Sequence, residues 1–201
     1  RFLSMKPPYV HESADVSPDA KVGDGTSIWH LVQVREGAEI GEECVIGRAA
    51  YIGTGVRIGN RTKVQNFALV YEPAVLGNGV FIGPAVVLTN DVYPRSVDAD
   101  MNLKGGDDWD AVGVTIGDGA AIGARSVVLA GTTVGEWALV GAGSTVIRDV
   151  PAYALVVGNP AAQKGWVGRT GKRLQPGDDG AFVCVDTGDR FTEADGVLTR
   201  L

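Results

Sequence analysis

Histidine and cysteine are scarce in this 201-residue chain, two of each. The cysteines, Cys44 and Cys184, stand in unrelated contexts. A disulfide-stapled secreted module is therefore not expected, and a cytoplasmic location is. Two histidines are too few for a zinc centre built on three imidazoles. No run of 18 apolar residues occurs, so no membrane-spanning helix is expected. No basic run of five residues occurs and the net charge is −6, which argues against nucleic acid and anionic membrane as partners. A small phosphate-bearing ligand needs only one or two local cations and stays open. The opening Arg1-Phe2-Leu3-Ser4-Met5 has neither a long apolar core nor an A-x-A cleavage site, so no signal peptide is expected, and Met5 is a candidate native start.

What the chain does have is a period. Every sixth residue from Val10 is aliphatic: Val16, Val22, Ile28, Val34, Ile40, Ile46, Ile52, Ile58, Val64, Val70, Leu76, Ile82 and Leu88. Glycine follows at 23, 41, 47, 53, 59, 77 and 83, so the 29 glycines belong to a repeat and not to low complexity. A hexad is too short for a useful helix, and β-branched residues dominate its inward position. Short strands returning at every hexad, with no room for crossover helices, wind around one axis as a parallel β-helix. Each buried Val or Ile contributes roughly 1.5–3 kcal/mol to its core.

The period stops after Leu88 and resumes at Ile116, Ile122, Val128, Val134, Val140 and Val146. The gap is not a multiple of six, so residues 89–112 are expected to leave the coil as an inserted loop, and a loop of this length is usually functional. Residues 1–9 are expected to form an extended leader, and residues 1–166 one β-helix domain. Residues 167–201 are expected to form a short tail of one or two β-hairpins punctuated by glycine.

The hexads, the inserted loop and the closing Val156-Val157-Gly158-Asn159-Pro160-Ala161 resemble the hexapeptide-repeat acyltransferases over about residues 10–166. The resemblance implies an all-β fold: a left-handed parallel β-helix with three hexads per coil, assembled as a homotrimer with acyl-CoA sites between subunits. A narrower set is similar to the sugar-nucleotide 3-N-acetyltransferases: Ile28-Trp29-His30, Lys63-Val64-Gln65-Asn66, Val70-Tyr71-Glu72, Phe81-Ile82-Gly83-Pro84 and Leu88-Thr89-Asn90-Asp91-Val92-Tyr93-Pro94-Arg95-Ser96. That implies transfer of acetyl from acetyl-CoA to the 3-amino group of a UDP- or dTDP-linked amino sugar. Some elements look like the dTDP-deoxyhexose branch and others like the UDP-uronate branch, so both nucleotides stay open. Phe67 and Pro73 depart from the pattern, which bears on the shape of the sugar pocket. Relatives often carry two Cys-x-x-Cys pairs in the tail, where this chain has Gly168, Gly171, Cys184 and Thr187. One thiol is not a structural zinc site, and no metal is expected.

With 18 residues per coil, residues 18 apart stack about 4.8 Å apart. The position after each aliphatic is usually Gly; Trp29, Arg35, Gln65, Tyr71 and Thr89 break that rule and fall on two adjacent corners. Asn90 stacks over Glu72 beside the loop exit. N-acylation needs groups that orient an amine and take its proton. Glu72 and Asn90 are the catalytic candidates; Asn90 matches the position that binds the sugar amine in relatives, and as a turn residue it also suits a simple cap. His30, Gln65, Asn66, Tyr71, Pro84, Asp91, Tyr93 and Arg95 are the substrate-binding candidates, with Arg95 suited to a diphosphate or to plain solvation. Ala124 and Ala142 offer a small-residue track for CoA, with Arg148 and Lys164 for its phosphates. A non-catalytic β-helix would show regular faces and no polar cluster. The alternative is O- or N-acyl transfer to another small acceptor.

Overall fold

The computed structural model describes residues 6–177 and 179–201. The first five residues of the expected leader and its candidate start at Met5 lie outside the described residues. Each hexad forms one two-residue strand, and the strands stack in three parallel sheets of nine, seven and six strands; the nine-stranded sheet ends in the antiparallel strand Ala162–Trp166. The first face carries Ile28, Ile46, Val64 and Ile82 inward, the second Val34, Ile52, Val70 and Leu88, the third Ile40, Ile58 and Leu76. All of these are buried. The fold is the parallel β-solenoid expected from the period, because one inward aliphatic per strand is what three short strands around one axis can enclose. Val10 departs from the pattern: it is 43% exposed, and among the described residues no strand stacks beneath its own.

Within the coil, stacked strands pair residues 18 apart, as in Val70 with Ile52. Across the break the partners are 40 apart, Leu76 with Ile116 and Leu88 with Val128. The insertion is therefore 22 residues. Thr89 still donates its N–H to Val128 O at 2.9 Å, and Val112 N–H meets Asn90 O at 2.9 Å. Asn90 and Gly113 thus flank the insert, and residues 91–112 form the loop proper. It carries one short 3-10 turn, Gly106–Asp108, and one bridge between Val97 and Leu103.

The corners are held by side-chain ladders. On the corner between the third and first faces, Asn60 Oδ1 accepts from Glu42 N, Asn78 Oδ1 from Asn60 N and Asp118 Oδ1 from Asn78 N, all at 2.8–2.9 Å. Inside the coil, buried Thr26 and Thr62 donate their hydroxyls to Gly41 O and Gly77 O. These bonds satisfy turn backbone that the short strands leave unpaired.

The last coil closes with a hairpin of Ala154–Val157 and Ala162–Trp166. A four-stranded antiparallel sheet follows, ordered Gln175–Pro176, Phe182–Val183, Arg190–Ala194 and Val197–Arg200. Phe191 is fully buried, with its ring 5.1 Å from that of Tyr153, so the tail packs on the coil end. Asp189 accepts from both Arg169 (2.9 Å) and Arg200 (2.7 Å). Burial alone would raise its carboxyl, but the Thr187 hydroxyl and the two guanidiniums outweigh that and hold it below the usual carboxylate range.

Two outcomes are expected. Ile52→Ala, at the centre of the second face, should destabilise the coil by about 2–5 kcal/mol in denaturant unfolding. Because Asp189 is depressed on folding, its contribution is present above the ordinary carboxylate pKa of about 3.9 and fades as pH falls through the lower folded value. Hydrogen exchange near neutral pH should therefore show tail amides less protected in Asp189→Asn than in the parent protein, with the difference shrinking as pH falls and the parent loses the same contribution.

Candidate active site

The break residues occupy two corners separated by the second face. On the corner between the first and second faces, Trp29, His30, Arg48, Gln65 and Asn66 line a concavity of about 330 Å³. The His30 ring stacks on His11 at 3.5 Å, and Trp29 lies against Tyr9 at 5.6 Å. Asn66 Oδ1 accepts from Arg48 N at 2.9 Å, so half of this carboxamide serves the coil, as in the asparagine ladder. Pro84 follows one coil above: Ala85 N–H bonds to Asn66 O, and Arg125 N–H to Pro84 O. The structure thus brings together His30, Gln65 and Asn66, with Pro84 in the same column one coil above Asn66.

On the corner between the second and third faces, Tyr71 and Glu72 lie one coil beneath Thr89 and Asn90, as Val70 pairs with Leu88. Asn66 and Glu72 are six residues apart along one coil, at most about 20 Å of chain. Within one protomer the two clusters are therefore separate patches with a strand between them.

Glu72 is the distinctive group. Where Gly41, Gly47 and Gly77 lack a Cβ, the space holds an oxygen from the coil above, on Asn60, Asn66 and Asp118 respectively. Each of those oxygens accepts a backbone N–H, from Glu42, Arg48 and Asn78. At Gly53 the same space holds Glu72 Oε2. That oxygen is buried and has no hydrogen-bond partner among the described residues. A buried acceptor left unpaired costs about 1–3 kcal/mol, more for a charged group, so it marks a functional candidate. Tyr51, one coil below on the outward side of the second face, completes the surroundings; its ring centroid is 5.1 Å from that of Tyr71. Burial, and then the Glu72 charge, raises the Tyr51 phenol, so it stays a neutral donor at physiological pH. Arg35 lies in the coil below Gly53 and pairs with Glu36 at 2.9 Å. Tyr51 escaped the sequence reading because it occupies an ordinary outward strand position; its only signal was an aromatic one coil beneath Tyr71.

The loop candidates sit apart. Asp91 Oδ1 caps Tyr93 N at 2.8 Å, Tyr93 is 81% exposed, and Arg95 donates Nη1 to the carbonyl of Pro94. Among the described residues, none of these three hydrogen-bonds to Glu72 or Asn90. The CoA candidates divide as well. Ala124 and Ala142 stack on the first-to-second corner, where Gly143 N–H bonds to Ala124 O. Arg148 is on the next corner, lining a hollow of about 400 Å³ with Val150, Pro151, Pro160 and Gln163. Lys164 is exposed on the hairpin strand Ala162–Trp166. The cation beside the alanine track is Arg125, which sequence reasoning missed; it takes the left-handed corner position next to Ala124 with φ 57°. No group of three or more His, Cys, Asp or Glu capable of holding a metal occurs among the described residues, and no helix among them is long and apolar enough to cross a membrane.

The family model described as bacterial transferase hexapeptide (six repeats) matches residues 19–54 and 113–148. The matched residues flank the stretch that carries Glu72, Asn90 and the loop. Over 83 residues the chain is 41% identical to a dTDP-3-amino-3,6-dideoxy-alpha-D-galactopyranose 3-N-acetyltransferase from Aneurinibacillus thermoaerophilus; the match spans 41% of this chain and 42% of that relative. A hexapeptide-repeat-containing acetyltransferase from Vibrio cholerae, solved with acetyl-CoA, superposes with a TM-score of 0.53 at 23% identity over 66% of this chain and 72% of its own. That likeness shows the shared fold. Perosamine N-acetyltransferase PerB from Caulobacter crescentus, solved with CoA and GDP-perosamine, gives a TM-score of 0.49 at 24% identity, covering 80% of this chain and 58% of that one.

Because the insert begins and ends at neighbouring corner positions, joining Asn90 directly to Gly113 should leave the hexapeptide coil folded. Strand-type circular dichroism and cooperative unfolding should persist in that variant; a collapsed spectrum would show that residues 91–112 support the coil.

Proposed function

We propose that this chain is an acetyl-CoA-dependent N-acetyltransferase acting on the 3-amino group of a nucleotide-linked amino sugar. The observation that carries the reading is the unpaired, buried Glu72 carboxylate oxygen one coil beneath Asn90, beside the loop exit. The 41% identity to a dTDP-3-amino-sugar 3-N-acetyltransferase supports it. The two clusters on adjacent corners support a homotrimer in which the Glu72–Asn90 corner of one copy faces the His30–Asn66 corner of the next. Two unpaired, buried cysteines support a cytoplasmic setting.

In this mechanism the neutral amine attacks the thioester carbonyl carbon, forming the C–N bond. The Asn90 carboxamide oxygen accepts one amine hydrogen and aims the lone pair. The C–S bond then breaks, and CoA leaves as a thiolate. The proton released from nitrogen passes to Glu72 or to that thiolate, so the charges balance on either route. Tyr51 contributes a neutral hydroxyl beside the acid. The exposed backbone at Ala124 and Ala142 suits the pantetheine arm, with Arg125 beside it as a cation for the phosphates.

Asn90→Ala should lower kcat/KM about 100-fold with the trimer intact. The measurement is thiol release from acetyl-CoA with dTDP- and UDP-linked 3-amino sugars, alongside sedimentation. Near-parental activity would remove Asn90 from the site. Silence of the parent protein with every nucleotide sugar would favour acyl transfer to another small acceptor.

A further inference from the structure

We propose that Gly53 is a positioning residue for Glu72: its missing side chain makes the seat that fixes the carboxylate toward the acceptor amine. The proposal rests on the role given to Glu72 above. Gly53 is not required by backbone conformation, for it is absent from the positive-φ glycines among the described residues. In the same column the coil below carries Arg35 and the coils above carry Tyr71 and Thr89, so this corner accommodates large side chains. What Gly53 provides is space, and Glu72 Oε2 fills it.

The ladder elsewhere shows why that seat is unusual. A shorter Asn or Asp over the glycine delivers its oxygen to a backbone N–H. Glu72 has one more methylene, reaches the same space, and is left without a donor. The seat is thus unfavourable for stability and favourable for orientation. It turns a flexible acid into a fixed one, with Tyr51 and Tyr71 as neighbouring aromatic walls.

The test compares Gly53→Ala, Glu72→Gln and the double variant, with Gly41→Ala as control. An alanine Cβ at 53 meets Glu72 N at 2.7 Å, and one at 41 meets Asn60 N at 2.8 Å, so the control carries the same backbone crowding away from the site. With acetyl-CoA and dTDP- or UDP-3-amino-3,6-dideoxyhexose as substrates, Gly53→Ala should lower kcat about tenfold, with the acetyl-CoA KM within about twofold. In the Glu72→Gln background the same change should cost less than about twofold, since Gly53 acts only through that acid. Gly41→Ala should keep the parental kcat. Wild-type activity in Glu72→Gln would overturn the role of Glu72 itself. Impaired Glu72→Gln beside a fully active Gly53→Ala, or equal losses in both backgrounds, would overturn the seat alone. A second variant decides the matter even where Gly53→Ala does not fold: Glu72→Asn restores a ladder residue, so it should raise Tm while lowering kcat at least as much as Glu72→Gln does, and a lowered Tm would count against the seat.

Discussion

The structure depends on one constraint: every coil must return its chain to the same point, one strand spacing higher, with an aliphatic side chain inward on each of three faces. Parallel pairing between strands only two residues long gives few hydrogen bonds per strand. The stack is therefore held by the continuous interior of Val, Ile and Leu and by ladders at the corners. Any side chain on the outside is placed by this stacking as firmly as those inside, because the backbone beneath it repeats. That is how a fold with no α-helix among its described residues presents polar groups in fixed columns.

The same constraint explains where chemistry resides. A corner with glycine below and asparagine above satisfies its own turn backbone. The corner at Gly53 and Glu72 follows that geometry and breaks its hydrogen-bond pattern, leaving a buried carboxyl oxygen without a partner among the described residues, immediately beneath the point where the chain departs for 22 residues. The asparagine ladder, Asn66 included, is the structural use of the motif. Glu72 is its exception, and the contrast between them is the physical reason to assign it a role beyond stability.

Much of this was legible before any coordinates. The unbroken six-residue period fixed the solenoid, the inward residues, and the stacking of Asn90 over Glu72, because a period of that length leaves one way to bury its aliphatics. It also located the insertion, though Thr89 and Asn90 proved to remain in the coil, held by the partners of Thr89 N and Val112 N. Tyr51 was not legible, since an outward strand residue carries no periodic signal. Nor was Arg125, which lies at a corner position where the other coils carry residues as different as Leu31, Ala49 and Phe67. Val10 follows the period and is not buried, because a period does not say whether a strand stacks beneath, and among the described residues none does.

The sequence by itself determined the repeat, hence which residues share a column, since stacking follows from counting. Only the tertiary structure decided which of those columns are satisfied. Whether an oxygen over a glycine finds a backbone N–H depends on side-chain length, rotamer and the atoms beside it, none of which a period encodes. It decided too that the two polar corners of one protomer stand apart across the second face. Residues six apart in a hexad are neighbours in sequence, and a triangular coil puts them at different corners.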